Sequence, residues 1–148
     1  MPKNLNLEET YEKCTAEGKI LLQDHIDINK IKSMLVIIDE YIKASEELKD
    51  VFNVKYDTNY NIIHMLVEAF LLFDKIKSLN HQCLFTYLCT KHPELELDWN
   101  FFEKIRTKRN GIHYYGTSVN KNDWKEINLQ IHTYIKTLRK AIKKKLEN

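Results

Sequence analysis

Between Ile105 and Gly116 the chain reads Ile-Arg-Thr-Lys-Arg-Asn-Gly-Ile-His-Tyr-Tyr-Gly, gathering two arginines, an asparagine, a histidine and two tyrosines into one short stretch. On a helix each residue turns about 100°, so Arg106 and His113, seven apart, differ by only about 20° and lie about two turns apart. Arg109 and His113, four apart, are neighbours on the same face. One stripe thus carries Phe102, Arg106, Arg109 and His113. Guanidinium forks match the oxygens of a phosphate, and an imidazole beside them is a candidate base or hydrogen-bond acceptor. The chemistry that suits this stripe is phosphate binding next to a proton acceptor. Two plainer readings stand beside it. Arg, Lys and Asn on a helix commonly form a solvated face, in which Arg106 does no more than pair with Glu103 or Asp98. And Asn110-Gly111 is a turn or helix-stop signal that, used as a C-cap, swings His113 out of the stripe.

The elements that must hold the stripe read as helices. Three Gly and two Pro in 148 residues leave few breakers, and 43% apolar with 30% charged residues suits one globular helical domain, 1–148. That length buries a core without staples. A short helix over 5–19, with Leu5, Leu7, Tyr11 and Cys14 available for one face, stops at Gly18 and packs on the bundle. Ile20-Leu21-Leu22 is an apolar connector expected to dock there too. Asp27 caps a helix in which Ile28, Ile31, Leu35, Ile38 and Ile42 recur at three and four, ending near Lys49. Residues 51–58 read as a loop, with Asp57 or Thr58 as the next cap. Residues 60–79 are apolar on most sides, which marks a central helix and a candidate for burial at a subunit interface. Asn80 caps a shorter helix that Pro93 ends. Asp98 caps the helix of the stripe, with Trp99, Phe102 and Ile105 facing inward. Asn120 or Asn122 opens the last helix, where Trp124, Ile127, Ile131, Tyr134, Leu138 and Ile142 repeat in nearly heptad fashion. The sum is an all-α bundle of four main helices with two short extra ones.

Several chemistries lack their residues. There is no GxGxxG, P-loop or GxSxG, and the scarcity of glycine argues against a backbone phosphate cradle. His64 and Glu68 are four apart but belong to no HExxH, so no metal is expected, and no cofactor. His81, just after Asn80, reads as a capping or surface residue. Cys14, Cys83 and Cys89 are odd in number and without CxxC spacing, which indicates neither a disulfide framework nor a zinc site, and Cys83 reads as a small core residue. With no signal-peptide pattern and no apolar run that spans a bilayer, the expectation is a reduced, cytoplasmic protein with no membrane partner. A net charge of +2 does not announce nucleic-acid binding by itself. The basic run Arg139–Lys145 either attracts a polyanion or simply suits a helix C-terminus.

Arg106, six residues, then His113 and Tyr115 as His-x-Tyr resembles the signature of HEPN domains (higher eukaryotes and prokaryotes nucleotide-binding). The apolar segment Tyr60–Leu72, followed by Asn80-His81, is similar to the long central helix of that family and the helix after it, and the helix from Ile28 to its first bundle helix. The resemblance runs roughly from Ala16 to the C-terminal helix. It implies a four-helix up-and-down bundle that pairs into a homodimer, with the two Arg/His stripes facing each other across a cleft. It implies an RNA- or nucleotide-interacting protein, in the catalytic members a metal-independent endoribonuclease of a toxin–antitoxin or defence system. His113 would then deprotonate a ribose 2′-OH, Arg106 would stabilise charge on the phosphate, and Arg109 and Asn110 would position the backbone. The alternative within the family is a non-catalytic module that binds a minimal nucleotidyltransferase, whose AMP Tyr115 would receive. Against that, Tyr115 also reads as packing at the helix end beside Gly116. A third reading is a structural bundle without a site.

Overall fold

The computed structural model describes residues 5–148 of the chain. It is an all-α bundle with one two-residue ladder. In order come α1 (Leu7–Ala16), β1 (Leu21–Leu22), α2 (Ile28–Glu46), α3 (Phe52–Leu71), β2 (Ile76–Lys77), α4 (His81–Lys91), α5 (Trp99–Tyr115) and α6 (Lys121–Leu146). Four long helices carry the bundle and the shorter α1 and α4 complete it.

Helix starts follow the short polar residues. Asn6, Asp27, Asn80 and Asp98 each accept a backbone N–H of the first turn of α1, α2, α4 and α5, satisfying a donor the helix cannot. Asn120 and Asp123 form a reciprocal capping box on α6. The exception is α3. Residues 51–58 are not a loop: α3 begins at Phe52, after Val51, whose side chain caps nothing. A tertiary bond supports that early start, since the Asn53 carboxamide oxygen accepts the Val119 N–H at 2.7 Å. Asp57 therefore lies inside the helix and does not cap it.

α3 is the central helix. It packs against α2, α4, α5 and α6, and its Tyr56, Tyr60, Ile62, Ile63, Leu66, Val67, Phe70 and Leu71 are all buried. It ends earlier than the apolar run suggests, passing through a 3-10 turn at Leu72–Asp74 and into β2, with Lys75 at φ 61° making the corner. β1 pairs antiparallel with β2, Leu21 opposite Lys77 and Leu22 opposite Ile76. The connector is thus held by backbone pairing. Of its side chains Ile20 packs on the core, while Leu22 is 76% exposed. The apolar excess of α3, with Trp99, Phe102 and Ile105 of α5, is hidden within the single chain, so that excess no longer argues for a subunit interface.

α1 rests on α4, and Cys14 is bonded to Cys83 there, with Cα atoms 5.6 Å apart. The reading of the cysteines as a set without a disulfide is corrected by this bond. Spacing in sequence carried no sign of it, because the two residues are brought together only by the packing of two helices. Cys89 is free, and burial pushes its thiol up to about 12. No helix among the described residues is long and apolar enough to cross a membrane.

Candidate functional site

α5 delivers the motif unbroken. Gly111 costs an exposed helix about 1 kcal/mol relative to alanine, yet the helix runs through it to Tyr115. Gly116 at φ 60° ends it, and the Gly111 carbonyl accepts from the cap. Asn110-Gly111 is therefore no C-cap. Inward, Phe102 and Ile105 are fully buried, Phe102 stacking on Phe85 of α4 at 4.7 Å. Phe102 thus belongs to the core and is no part of an exposed stripe.

Both arginines meet carboxylates of the chain itself. Glu103 accepts from Arg106 Nε at 2.9 Å and from a terminal Arg106 nitrogen at 3.0 Å, and it also takes the Gln82 amide at 3.0 Å. One oxygen of Asp57, Oδ1, accepts Arg109 Nε at 3.2 Å and meets His113 Nε2 at 2.7 Å. The Arg109 guanidinium lies 5.1 Å over the ring of Tyr60, an electrostatically favourable seat. The anion anticipated between the arginines is thus partly supplied by α3 and by α5. The His113 side chain is 42% exposed, and its Nδ1 has no protein partner among the described residues.

Arg106, Arg109 and Asn110 line one groove of about 290 Å³, together with His81, Gln82 and Tyr114. His113 and Tyr115 are not among its walls. His113 turns instead to Asp57 of α3, whose Oδ1 it meets beside Arg109. Tyr115 is 81% exposed and Tyr114 71%, so Tyr115 does not pack its ring at the helix end.

Sequence reasoning missed a second cluster behind the groove. His81 is no mere surface residue: it is half-buried, its Nδ1 is 2.8 Å from the Tyr60 hydroxyl, and its ring stacks on His64 with centroids 3.6 Å apart. His64 Nδ1 in turn is 2.9 Å from Glu68. A signal for this was present, since Asp57, Tyr60, His64 and Glu68 recur at three and four along an otherwise apolar helix. Burial, then the neighbouring His64 and Arg109, push His81 down to about 4 from an ordinary 6.5, while burial holds the Tyr60 phenol well above its usual range. Among the described residues no group of three or more His, Cys, Asp or Glu side chains could hold a metal ion.

The His81 shift sets a pH dependence. The folded state keeps the imidazole neutral, whereas the unfolded chain takes up a proton below about 6.5. Stability is therefore full above that value and lost as pH falls from about 6.5 towards about 4. With solvent screening of a half-buried ring the loss is about 1–2 kcal/mol. Thermal melts of the wild type and of His81→Gln between pH 7 and pH 4 check it: the variant should fall less steeply over that window, and equal slopes would contradict the assignment.

Comparison of the chain with family models, with curated proteins and with solved structures finds no match.

Proposed function

We propose that the chain is an HEPN-type, metal-independent endoribonuclease acting in the cytoplasm, in a toxin–antitoxin or defence setting. The observation that carries this reading is the Asp57–His113 pair. A carboxylate on Nε2 favours the tautomer with its proton there and leaves the Nδ1 lone pair facing outward. Nδ1 then takes the proton of a ribose 2′-OH. The oxygen attacks the adjacent phosphorus, the P–O5′ bond breaks, the leaving 5′ oxygen takes a proton from water, and the imidazolium returns its own proton to the solvent. The products are a 2′,3′-cyclic phosphate and a 5′-hydroxyl. Arg109, sharing the same carboxylate oxygen, places a second cation beside the histidine, and Arg106 supports charge on the phosphate oxygens. Fixed donors of this kind act where charge develops. Asn110 positions the RNA backbone.

A homodimer is part of the proposal. The surface that suits a second copy is the rim where Leu79, 84% exposed, and Tyr114 border the same groove.

A mixed RNA pool incubated in EDTA tests both parts. The expected outcome is cyclic-phosphate ends from a species sedimenting at twice 17.7 kDa, lost in His113→Ala. Two observations favour other readings. The exposed Tyr115 hydroxyl suits a module modified by a nucleotidyltransferase partner. The bidentate Arg106–Glu103 pair suits a purely structural bundle. Intact RNA with an adenylated Tyr115 on co-expression selects the former; intact RNA, no adduct and a monomer select the latter.

A further inference from the structure

We propose that the groove between α4 and α5 is a phosphate subsite in which His81 is a fixed, uncharged N–H donor, set in place by Tyr60. The proposal deepens the ribonuclease reading and rests on it only for the source of the phosphate, RNA.

The groove is walled by His81 and Gln82 from α4 and by Arg106, Arg109, Asn110 and Tyr114 from α5. Its donors are of two kinds. The guanidinium groups are permanent cations. Arg106 spends Nε and one terminal nitrogen on Glu103, and Arg109 spends Nε on Asp57. Each therefore keeps terminal N–H groups without a protein acceptor among the described residues, and such groups suit an oxygen-rich anion. His81 is the other kind, and its role depends on which ring nitrogen bears the proton.

Hydrogen-bond satisfaction decides that question. The Tyr60 side chain is fully buried, and its hydroxyl has one side-chain partner among the described residues, His81 Nδ1. If Nδ1 donated to the hydroxyl oxygen, the buried O–H would have nothing to donate to, a cost of about 1–3 kcal/mol. If the hydroxyl donates to Nδ1, both groups are satisfied and the proton of the imidazole sits on Nε2. That nitrogen has no protein partner among the described residues and belongs to a ring that lines the groove. The tautomer thus puts an N–H on the ring nitrogen that has no protein partner among the described residues, in a groove that Arg106 and Arg109 also line.

Tyr60 has a second hold on the groove, since its ring face carries Arg109. One buried side chain positions both a neutral and a charged donor. His64, stacked on His81 and tied to Glu68, fixes the plane of the ring. Glu68, His64 and Tyr60 face His81 from α3, and Arg106 and Arg109 from α5. Burial first, and then the neighbouring His64 and Arg109, disfavour an imidazolium, so the ring works as a donor without charge at neutral pH. Such a donor adds direction to a site whose cations are already partly neutralised by Asp57 and Glu103.

The experiment is a titration of the full chain at pH 7 with inorganic phosphate, against chloride of equal ionic strength, read on the histidine ring nitrogens by long-range proton–nitrogen correlation spectra. His81 should appear as the Nε2–H tautomer, and its Nε2–H signal should move saturably with phosphate and not with chloride. Tyr60→Phe, which keeps the ring under Arg109, should mix the tautomers and weaken phosphate binding about threefold. Loss of a hydrogen bond to a charged group in His81→Phe should weaken it about tenfold. An Nδ1–H tautomer, or a His81 signal indifferent to phosphate or equally moved by chloride, overturns the proposal. Because the wild type carries the decisive readout, a variant that fails to fold leaves the test intact. RNA left uncut while His81 responds removes the ribonuclease reading and keeps the subsite; cleavage with a silent His81 does the reverse.

Discussion

Asp57→Asn is expected, on the ribonuclease reading proposed above, to lower turnover at least about a hundredfold, close to the loss in His113→Ala. In wild type a single carboxylate oxygen holds both Arg109 and His113. An amide is isosteric but has an N–H₂ side. Turned towards the imidazole, it accepts nothing and reverses the tautomer, so that Nδ1 bears the proton and no longer accepts one. In hydrolases whose histidine is oriented by an aspartate, the same substitution costs about 10⁴ in kcat. Here the histidine is 42% exposed and can reorient in water, so the smaller figure is expected. The arginines separate by which constant they move. Arg106→Ala should depress kcat about as severely as His113→Ala, because it removes a donor that matters when charge builds. Arg109→Ala should chiefly raise KM and flatten the salt dependence, as loss of one phosphate contact does. Steady-state kinetics on one defined RNA, at two salt concentrations, read all four variants. A fully active Asp57→Asn with an inactive His113→Ala would show that the carboxylate serves the fold alone.

How far the sequence speaks is visible in α3 and α5. Alternation at three and four places the motif helix, its Asp98 cap and its buried Phe102 and Ile105 correctly, because those are local matters of helical period and capping. The partners of the motif are another case. Asp57 reads as a cap because it stands among Asn, Val, Tyr, Thr and Asn, residues whose local preferences are turns as much as helix. Packing against α5 and the bond from Val119 to Asn53 override those preferences. The Arg109–Asp57 contact spans 52 residues and the His81–Tyr60 contact 21, and neither separation leaves a periodic trace. What is legible is the polar stripe Asp57, Tyr60, His64 and Glu68 on the central helix. Polar groups at helical spacing on a buried helix require partners, since an unsatisfied one is costly. The stripe therefore implies a polar seam against a neighbouring helix without saying which helix supplies it.

Reduction of the Cys14–Cys83 bond is expected to lower the melting temperature by about 10 °C and to release α1 before the rest of the bundle opens. The two cysteines are 69 residues apart, and constraining a loop of that size removes denatured-chain entropy equivalent to about 4 kcal/mol. For a domain of this length each kcal/mol shifts the transition by about 2–4 °C. The order of events follows from what holds α1 otherwise. Only Thr10 and Cys14 of α1 are buried, Tyr11 lies under the Lys91 ammonium at 5.5 Å, and a ten-residue helix is marginal alone. The bundle of α2, α3, α5 and α6 keeps its own core when α1 leaves. Cys89 does not rescue the pairing by exchange, because its half-buried thiol, pushed up to about 12, supplies almost no thiolate. In the cytoplasm proposed above, the glutathione pool opposes such a bond, so the state of Cys14 in freshly lysed cells bears directly on that placement. Melting curves with and without a phosphine reductant, matched against Cys14→Ser and Cys89→Ser, measure the stability. Hydrogen exchange measures the order: under reduction the amides of α1 should exchange while those of α3 stay protected. Because Cys83 lies in the first turn of α4, two residues beyond His81, with its N–H on the Asn80 cap, the loosening should reach the α4 wall of the groove next. An unchanged transition under reduction, or α1 and α3 amides exchanging together, would contradict the staple.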